Sequence, residues 1–212
     1  MSKDTSPQNL YRDLGYAIFG INCTERLFDF CPPRPGMKVL EPGCGVAKMS
    51  LHYSLFGCHC IALDVNPESV DYAFTLKRAI EELLKIRLSI TIYERDLFQL
   101  SYPENYFDLC FNEGVPQHFT DEERRQGCIN IMARVARKVA IIGNNGLNPR
   151  EQEIDRTFQF SYKGMPPKRK CFMPEELAGR MRLAGLKNIG VVPVDHDDFR
   201  QATLIIGYGE KP

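Results

Sequence analysis

The sequence predicts an α/β fold, a single domain on a doubly wound, seven-stranded and mostly parallel sheet with an antiparallel hairpin at its C-terminal edge. Three observations carry this expectation. Short apolar runs alternate with amphipathic stretches of helical length across residues 37–143. Helix start and stop residues stand between them. The chain then offers two more apolar runs joined by an acidic turn, Asp195-His196-Asp197-Asp198. Strands separated by helices pair in parallel through crossovers, whereas two strands joined by a short turn pair antiparallel.

Each element has its own signal. MKVLE (37–41) reads as a short strand, and VAKMSLHYSLFG (46–57) as a helix stopped by Gly57. HCIALD (59–64) is a strand. Asn66 followed by Pro67 supplies an N-cap and a first-turn proline, so a helix is predicted over 67–85. LSITIYE (88–94) and YFDLCFN (106–112) are strands, Asp121 opens a helix running to about Arg137, and VAIIG (139–143) is a strand. Pro174 to Ala184 is a helix closed by Gly185. KNIGVVPV (187–194) and QATLIIGYG (201–209) form the hairpin. Before all this, Leu10, Leu14, Ile18, Leu27 and Phe28 mark a helical segment, interrupted near Gly20 and ended by CPPRPG. Residues 144–173 read as a polar, proline-rich connection.

Composition removes whole classes. The chain has 212 residues, 43% hydrophobic and 25% charged, which fits a domain able to bury a core. Lys+Arg and Asp+Glu number 27 each, so the basic excess of a dedicated nucleic-acid binder is missing. No apolar run reaches the roughly 18 residues of a membrane span. The polar start, MSKDTSPQNLYRDLGY, has no secretion-signal core. Eight cysteines, at 23, 31, 44, 58, 60, 110, 128 and 171, make no CxxC and sit mostly in apolar runs. They read as reduced structural thiols of a cytoplasmic protein. Cys58, His59 and Cys60 lack a second ligand pair for zinc.

The chemistry concentrates at strand ends. Glu41-Pro42-Gly43-Cys44-Gly45-Val46-Ala47 joins the first strand to the first helix. Glycines let such a turn close sharply and let a ligand approach the backbone. Asp64 ends the second strand, 19 positions after Gly45, where a carboxylate can accept hydrogen bonds from both ribose hydroxyls. Asp96 follows the third strand, and Asn112-Glu113-Gly114 ends the fourth. In an open α/β sheet, ligands bind at those carboxyl ends. A dinucleotide fingerprint counted from Gly43 would need a small residue at Lys48, and Glu41 would face a pyrophosphate. Acidic strand ends instead favour a cationic nucleoside such as S-adenosylmethionine over NAD.

With those residues in view, VLEPGCGVAKMSLHYSLFGCHCIALDVNPESV resembles the first two motifs of the class I S-adenosylmethionine-dependent methyltransferases. YERDLFQLSYPENYFDLCFNEGVPQHF resembles the third and fourth, and CFMPEELAGRMRLAGLKNIGV the closing helix and strand. The likeness covers roughly residues 36–208 and implies a Rossmann-like methyltransferase domain over 37–212, preceded by a helical lid over 1–36. It implies that Glu41, Gly43, Cys44 and Gly45 bend around the methionine part of the cofactor. Asp64 would hold the ribose with Val65 beside the adenine. Asp96 would face the adenine amino group with Leu97 behind the ring. Asn112, Glu113 and Gly114 would line the methyl-transfer channel. A third glycine common in the family is Ala47 here.

The displacement at a sulfonium needs mainly orientation, and a general base where the acceptor must lose a proton. His118, six residues past the fourth strand, is the candidate base, read against a loop histidine that packs or caps a helix. Glu113 is a second candidate, as base or substrate hook. His52, within the first helix, reads as surface or packing. Tyr11 and Tyr16 could reach a ligand from the lid. Phe160 and Tyr162 could wall the acceptor site from a cap over 144–173, which also holds Lys163, Lys168, Arg169 and Lys170. The expected activity is methyl transfer to O, N or C of a small molecule, without nucleic acid or membrane, by a monomer or homodimer. A methyltransferase for RNA or protein, a catalytically inactive partner subunit and an NAD-dependent oxidoreductase stand as alternatives. Asn112-Glu113-Gly114 departs from the Asn/Asp-Pro-Pro-Tyr/Phe motif of amino-group base methyltransferases.

Overall fold

Alternating apolar residues on the strands point to opposite faces, so each strand feeds two cores. In the computed structural model, which describes residues 22–157 and 170–212, that alternation builds one seven-stranded sheet. The elements run α1 (Asn22–Phe30), β1 (Lys38–Pro42), α2 (Lys48–Leu55), β2 (His59–Asp64), α3 (Pro67–Leu84), β3 (Ile90–Glu94), β4 (Phe107–Glu113), α4 (Glu122–Val135), β5 (Ala136–Asn144), α5 (Pro149–Thr157), α6 (Pro174–Leu183), β6 (Lys187–Pro193) and β7 (Leu204–Glu210). Strand order is β3-β2-β1-β4-β5-β7-β6. The first five strands are mutually parallel, and β7 lies antiparallel between β5 and β6. The predicted antiparallel edge is therefore present, with the later strand of the hairpin on the inside.

Val39, Leu109, Phe111, Ala140 and Ile142 face the core shared with α1, α2 and α3. Leu40, Cys110, Val139 and Ile141 face the core with α4 and α6, at Ile129, Met132, Leu177 and Met181. Helices thus cover both faces, and the strand order reverses between β1 and β4. On β3, Ile90 and Ile92 are buried, while Thr91 and Tyr93 meet solvent. The β3–β4 connection has only a single 3₁₀ turn, Leu97–Gln99, to cover that face.

The capping signals act as read. Asn66 accepts from the Glu68 N–H with Pro67 behind it, and Asp121 accepts from the Arg124 N–H. Three boundaries differ from the sequence reading. Helix α2 starts at Lys48 rather than Val46, because Ala47 adopts φ 57° in the turn before it. Strand β5 begins at Ala136, directly after α4, since the chain turns extended there with no turn residue to announce it. The connection read as loop contains α5.

The described part of the N-terminal segment joins the core. Leu27 is fully buried, and the Phe28 ring packs on His52 at 4.8 Å, Tyr53 at 4.9 Å and Phe56 at 5.5 Å. His52 is thus a packing residue. The Tyr53 hydroxyl donates to the Cys31 carbonyl at 2.8 Å, fixing the end of α1 on α2. Arg26 in α1 reaches Asp197 of the β6–β7 turn at 3.5 Å, at the carboxyl end of the parallel strands.

Arg125 is fully buried in α4 and organises the opposite side. Its guanidinium donates to the Lys170 and Cys171 carbonyls, at 3.0 and 3.2 Å, and stacks 3.9 Å over the Phe172 ring. Glu176 lies 3.5 Å away. The seven described cysteine side chains are buried thiols outside any disulfide. Burial raises those of Cys44, Cys60 and Cys110 above the ordinary thiol range. Among the described residues no helix is long and apolar enough to cross a membrane, and no cluster of three metal-ligating side chains occurs.

Candidate functional site

The loop after β1 is strapped to β2. The N–H groups of Gly43 and Cys44 both donate to the Leu63 carbonyl, at 2.6 and 3.0 Å. Gly43 has φ +67°, and a Cβ there would stand 2.1 Å from Val115 Cγ2, so only glycine lets the loop pass under Val115. Asp64 joins three pieces: its Oδ2 accepts from the Gly45 N–H at 2.8 Å and its Oδ1 from the Asn66 N–H at 2.9 Å. The carboxylate is held between the glycine loop and the start of α3, and each oxygen keeps a lone pair for another donor.

A cleft opens beside this loop, lined by Gly43, Asp64, Val65, Asp96, Leu97 and Val115. Asp96 caps the 3₁₀ turn, accepting from the Phe98 N–H at 2.9 Å. Leu97 is buried, and Val65 is exposed at the rim. Phe119 and Arg124 close the far wall. Five residues named from the sequence for one nucleoside, Gly43, Asp64, Val65, Asp96 and Leu97, thus share one cleft. Cys44 faces inward as a buried thiol near the Gly45 carbonyl.

Glu41 lies beneath the loop with 3% exposure. Its carboxylate takes one backbone N–H, from Ser50 of α2, at 3.1 Å. Burial pushes its carboxyl up to about 8; hydrogen bonding from the Ser50 side chain and backbone opposes this, and the charges of Glu113 and Asp64 add to it. Asn112 is fully buried with its Nδ2 2.9 Å from Met132 Sδ, and its Oδ1 has no hydrogen-bond partner among the described residues. Its side chain therefore turns toward α4, because adjacent strand residues alternate and Glu113 takes the other face.

A second cleft lies between the ends of β4 and β5, lined by Glu113, Gly114, Gln117, His118, Gly143 and Asn144. Glu113 and His118, the two candidate bases, are thus brought together. Glu113 is exposed at its tip, and the surrounding walls raise its carboxyl above the usual range against the pull of Lys48. His118 ends the 3₁₀ turn Pro116–His118.

Sequence reasoning missed the polar chain under this second cleft. Gln117 donates to Asn144 Oδ1 at 2.7 Å and accepts the Asn144 backbone N–H at 2.9 Å. Asn144 in turn donates to Glu151 Oε2 at 2.7 Å. The Gln117 carbonyl also accepts the Lys170 N–H at 2.8 Å, so one residue ties both stems of the 145–169 segment. The strand-end rule that picked Asp64 and Glu113 would have found Asn144 at the end of β5; Gln117 had no signal beyond its place beside His118. Tyr11, Tyr16, Phe160, Tyr162, Lys163, Lys168 and Arg169 lie outside the described residues. Lys170, inside them, pairs with Glu122 at 2.8 Å, and Arg180 also reaches that carboxylate.

The first cleft suits a nucleoside: Asp64 keeps lone pairs for hydroxyls, and Asp96 and Leu97 offer a polar edge and an apolar wall.

Residues 40–142 match the methyltransferase domain family. Phosphoethanolamine N-methyltransferase of Triticum aestivum is 24% identical over 139 residues, 57% of this chain and 26% of its own. Malonyl-[acyl-carrier protein] O-methyltransferase of Erwinia billingiae is 31% identical over 100 residues, 47% of this chain and 36% of its own. The matched stretches span about a fifth to two fifths of the curated relatives. Among solved structures, magnesium protoporphyrin IX methyltransferase from Synechocystis PCC 6803 with bound S-adenosylhomocysteine shares the fold at a TM-score of 0.66 and 17% identity, over 98% of this chain and 95% of that one. The matched residues, just under half of the chain, carry β1 to β5 of the sheet, and over them the chain is similar to the methyltransferase domain family.

Proposed function

We propose that this chain transfers a methyl group from S-adenosylmethionine to a small-molecule acceptor bound between the ends of β4 and β5. One observation carries the reading: the two clefts meet at consecutive residues, with Val115 in the wall of the first and Gly114 in the wall of the second. A cofactor along the glycine loop and an acceptor beside Glu113 and His118 would face each other across a single peptide step.

When bound, S-adenosylmethionine supplies a methyl group on a sulfonium, already an excellent leaving group. The protein's task is then to align and to manage one proton. Asp64 holds the ribose, Val65 and Leu97 flank the base, Asp96 addresses its amino group, and Glu41 lies under the methionine end. Glu113 or His118 takes the proton of an acceptor that must lose one. Such a base contributes about 10²–10⁴-fold, less than orientation can. Asn144 and Lys170 both bond to Gln117, which supports placing residues 144–173 as the acceptor-side cap. The first turns of α1 face the carboxyl end of the sheet, which supports a lid role for residues 1–36. The relatives' names, which specify phosphoethanolamine and a malonylated carrier, support methyl transfer but disagree on the acceptor atom.

Calorimetric titration with S-adenosylmethionine, S-adenosylhomocysteine and NADH tests the cofactor. Micromolar binding of the two sulfur nucleosides alone is expected. NADH binding, or none by any of the three, overturns the reading. Transfer of a labelled methyl group to a panel of small hydroxyl, amine and acid compounds tests the acceptor class, with total RNA and bulk protein as the competing outcomes.

A further inference from the structure

Glu41 is a poorly compensated carboxylate at the centre of the molecule. It is 97% buried, by its 3% exposure, and among the described residues its hydrogen bonding comes from Ser50, through the backbone N–H at 3.1 Å and the side chain beside it. No lysine, arginine or histidine forms an ion pair with it among the described residues. The groups around it come from every adjoining element. Asp64 at the end of β2 and Glu113 at the end of β4 repel its charge. The thiols of Cys44, Cys60 and Cys110, from the loop, β2 and β4, also surround it. Lys48 of α2, the nearby cation, acts on Glu113. An ionised carboxylate in such a place costs far more than a neutral one.

We infer that Glu41 distinguishes the charged cofactor from its product: it holds a proton in the ligand-free protein and gives it up when a cationic ligand lies on the Gly43–Gly45 loop. This inference rests on the function proposed above. The exchange is a simple one. The carboxyl O–H bond breaks, the proton passes to solvent, and the carboxylate is stabilised by the ligand's positive charge. S-adenosylmethionine carries a sulfonium and an ammonium, whereas S-adenosylhomocysteine carries the ammonium alone. The product therefore draws less charge onto Glu41 and displaces less of its proton. After each transfer the site loses the sulfonium part of the charge that kept Glu41 ionised, and Glu41 takes a proton back from solvent.

Calorimetry of both nucleosides at pH 7, in phosphate and in Tris, measures the proton count, because the two buffers differ in ionisation enthalpy. S-adenosylmethionine should release about half a proton or more beyond S-adenosylhomocysteine. Its affinity should rise by up to about tenfold per pH unit between pH 6 and 8 and then level off, with a shallower rise for the product. Glu41→Gln, whose amide can still accept the Ser50 N–H, should remove both the excess release and the slope. At pH 8 it should bind S-adenosylmethionine at least tenfold more weakly than the parent. Equal proton release by the two nucleosides overturns the inference, as does excess release that persists in Glu41→Gln and disappears in Glu113→Gln. The parent protein's proton count stands whether or not the variant folds. Failure of S-adenosylmethionine to bind at any pH would instead refute the cofactor site itself.

Discussion

Replacing Gly43 with alanine probes the packing between the two clefts. At φ +67° a side chain costs about 1–2 kcal/mol of backbone strain. The new Cβ would also stand 2.1 Å from Val115 Cγ2, well inside carbon–carbon contact, so Val115 must shift. Forced overpacking of this kind costs about 1–3 kcal/mol. The sum is about 2–5 kcal/mol, which for a chain of this length lowers Tm by about 4–20 °C. Gly45 is the internal control. It has φ +51° but nothing within 4 Å of its Cβ position, so Gly45→Ala should cost only the backbone part, about 1–2 kcal/mol. Urea unfolding of Gly43→Ala, Gly45→Ala, Val115→Ala and Gly43→Ala/Val115→Ala measures both. Truncating Val115 makes room, so the double variant should recover at least about 1 kcal/mol relative to additivity. Costs that simply add, or a Gly45→Ala as damaging as Gly43→Ala, would refute the argument.

Other outcomes are equally specific. In the ligand-free protein, the Glu41 carboxyl sits at about 8 against 4.5 in an ordinary setting. The folded state therefore keeps a proton that the unfolded state releases between these values, and stability should fall as pH rises from about 4.5 to about 8. Glu41→Gln should flatten that slope and melt higher than the parent at pH 8, by up to a few kcal/mol, with little difference near pH 4.5; parallel melting curves across the range would contradict this. Arg125→Ala would leave two carbonyls and the Phe172 face without their guanidinium. Denaturant titration should show a loss of about 3–5 kcal/mol. Asp64→Ala should weaken S-adenosylhomocysteine binding by about 1–3 kcal/mol, and unchanged affinity would mean the ribose lies elsewhere. His118→Ala should slow methyl transfer while leaving cofactor affinity intact; an unchanged rate would leave Glu113 as the base.

The sheet was legible because its signals are local. Asn66 and Asp121 cap their helices by hydrogen bonds within three residues, and strand alternation appears directly in the string. The grouping around the first cleft was legible for a related reason. Gly43, Asp64 and Asp96 each sit at a strand end, and parallel strands carry those ends to one place. What escaped the sequence depends on contacts far apart along the chain. Gln117 is tied to Asn144, 27 residues away, and Arg125 to Lys170, 45 away. Such partners are chosen by packing, which no spacing announces. The turn of Asn112 toward Met132 is likewise a matter of which face of β4 it occupies, and the run Asn112-Glu113-Gly114 allowed either.

The place of β7 also constrains how the molecule can be made. Synthesis delivers β6 first, yet among the described residues β6 pairs with β7 alone, and β7 must enter between it and β5. The β5–β7 ladder joins Lys138 to Glu210 and Asn144 to Leu204, sequence separations of 72 and 60 residues. Such distant pairing is slow to form, because the chain must close a long loop before any contact rewards it. Until then β5 shows an open edge beside the apolar residues Val139, Ile141 and Ile142, the kind of row on which a stray strand can add. Early quality control of the nascent chain would therefore bear chiefly on this unsealed edge, and β7 is the segment whose arrival ends the exposure.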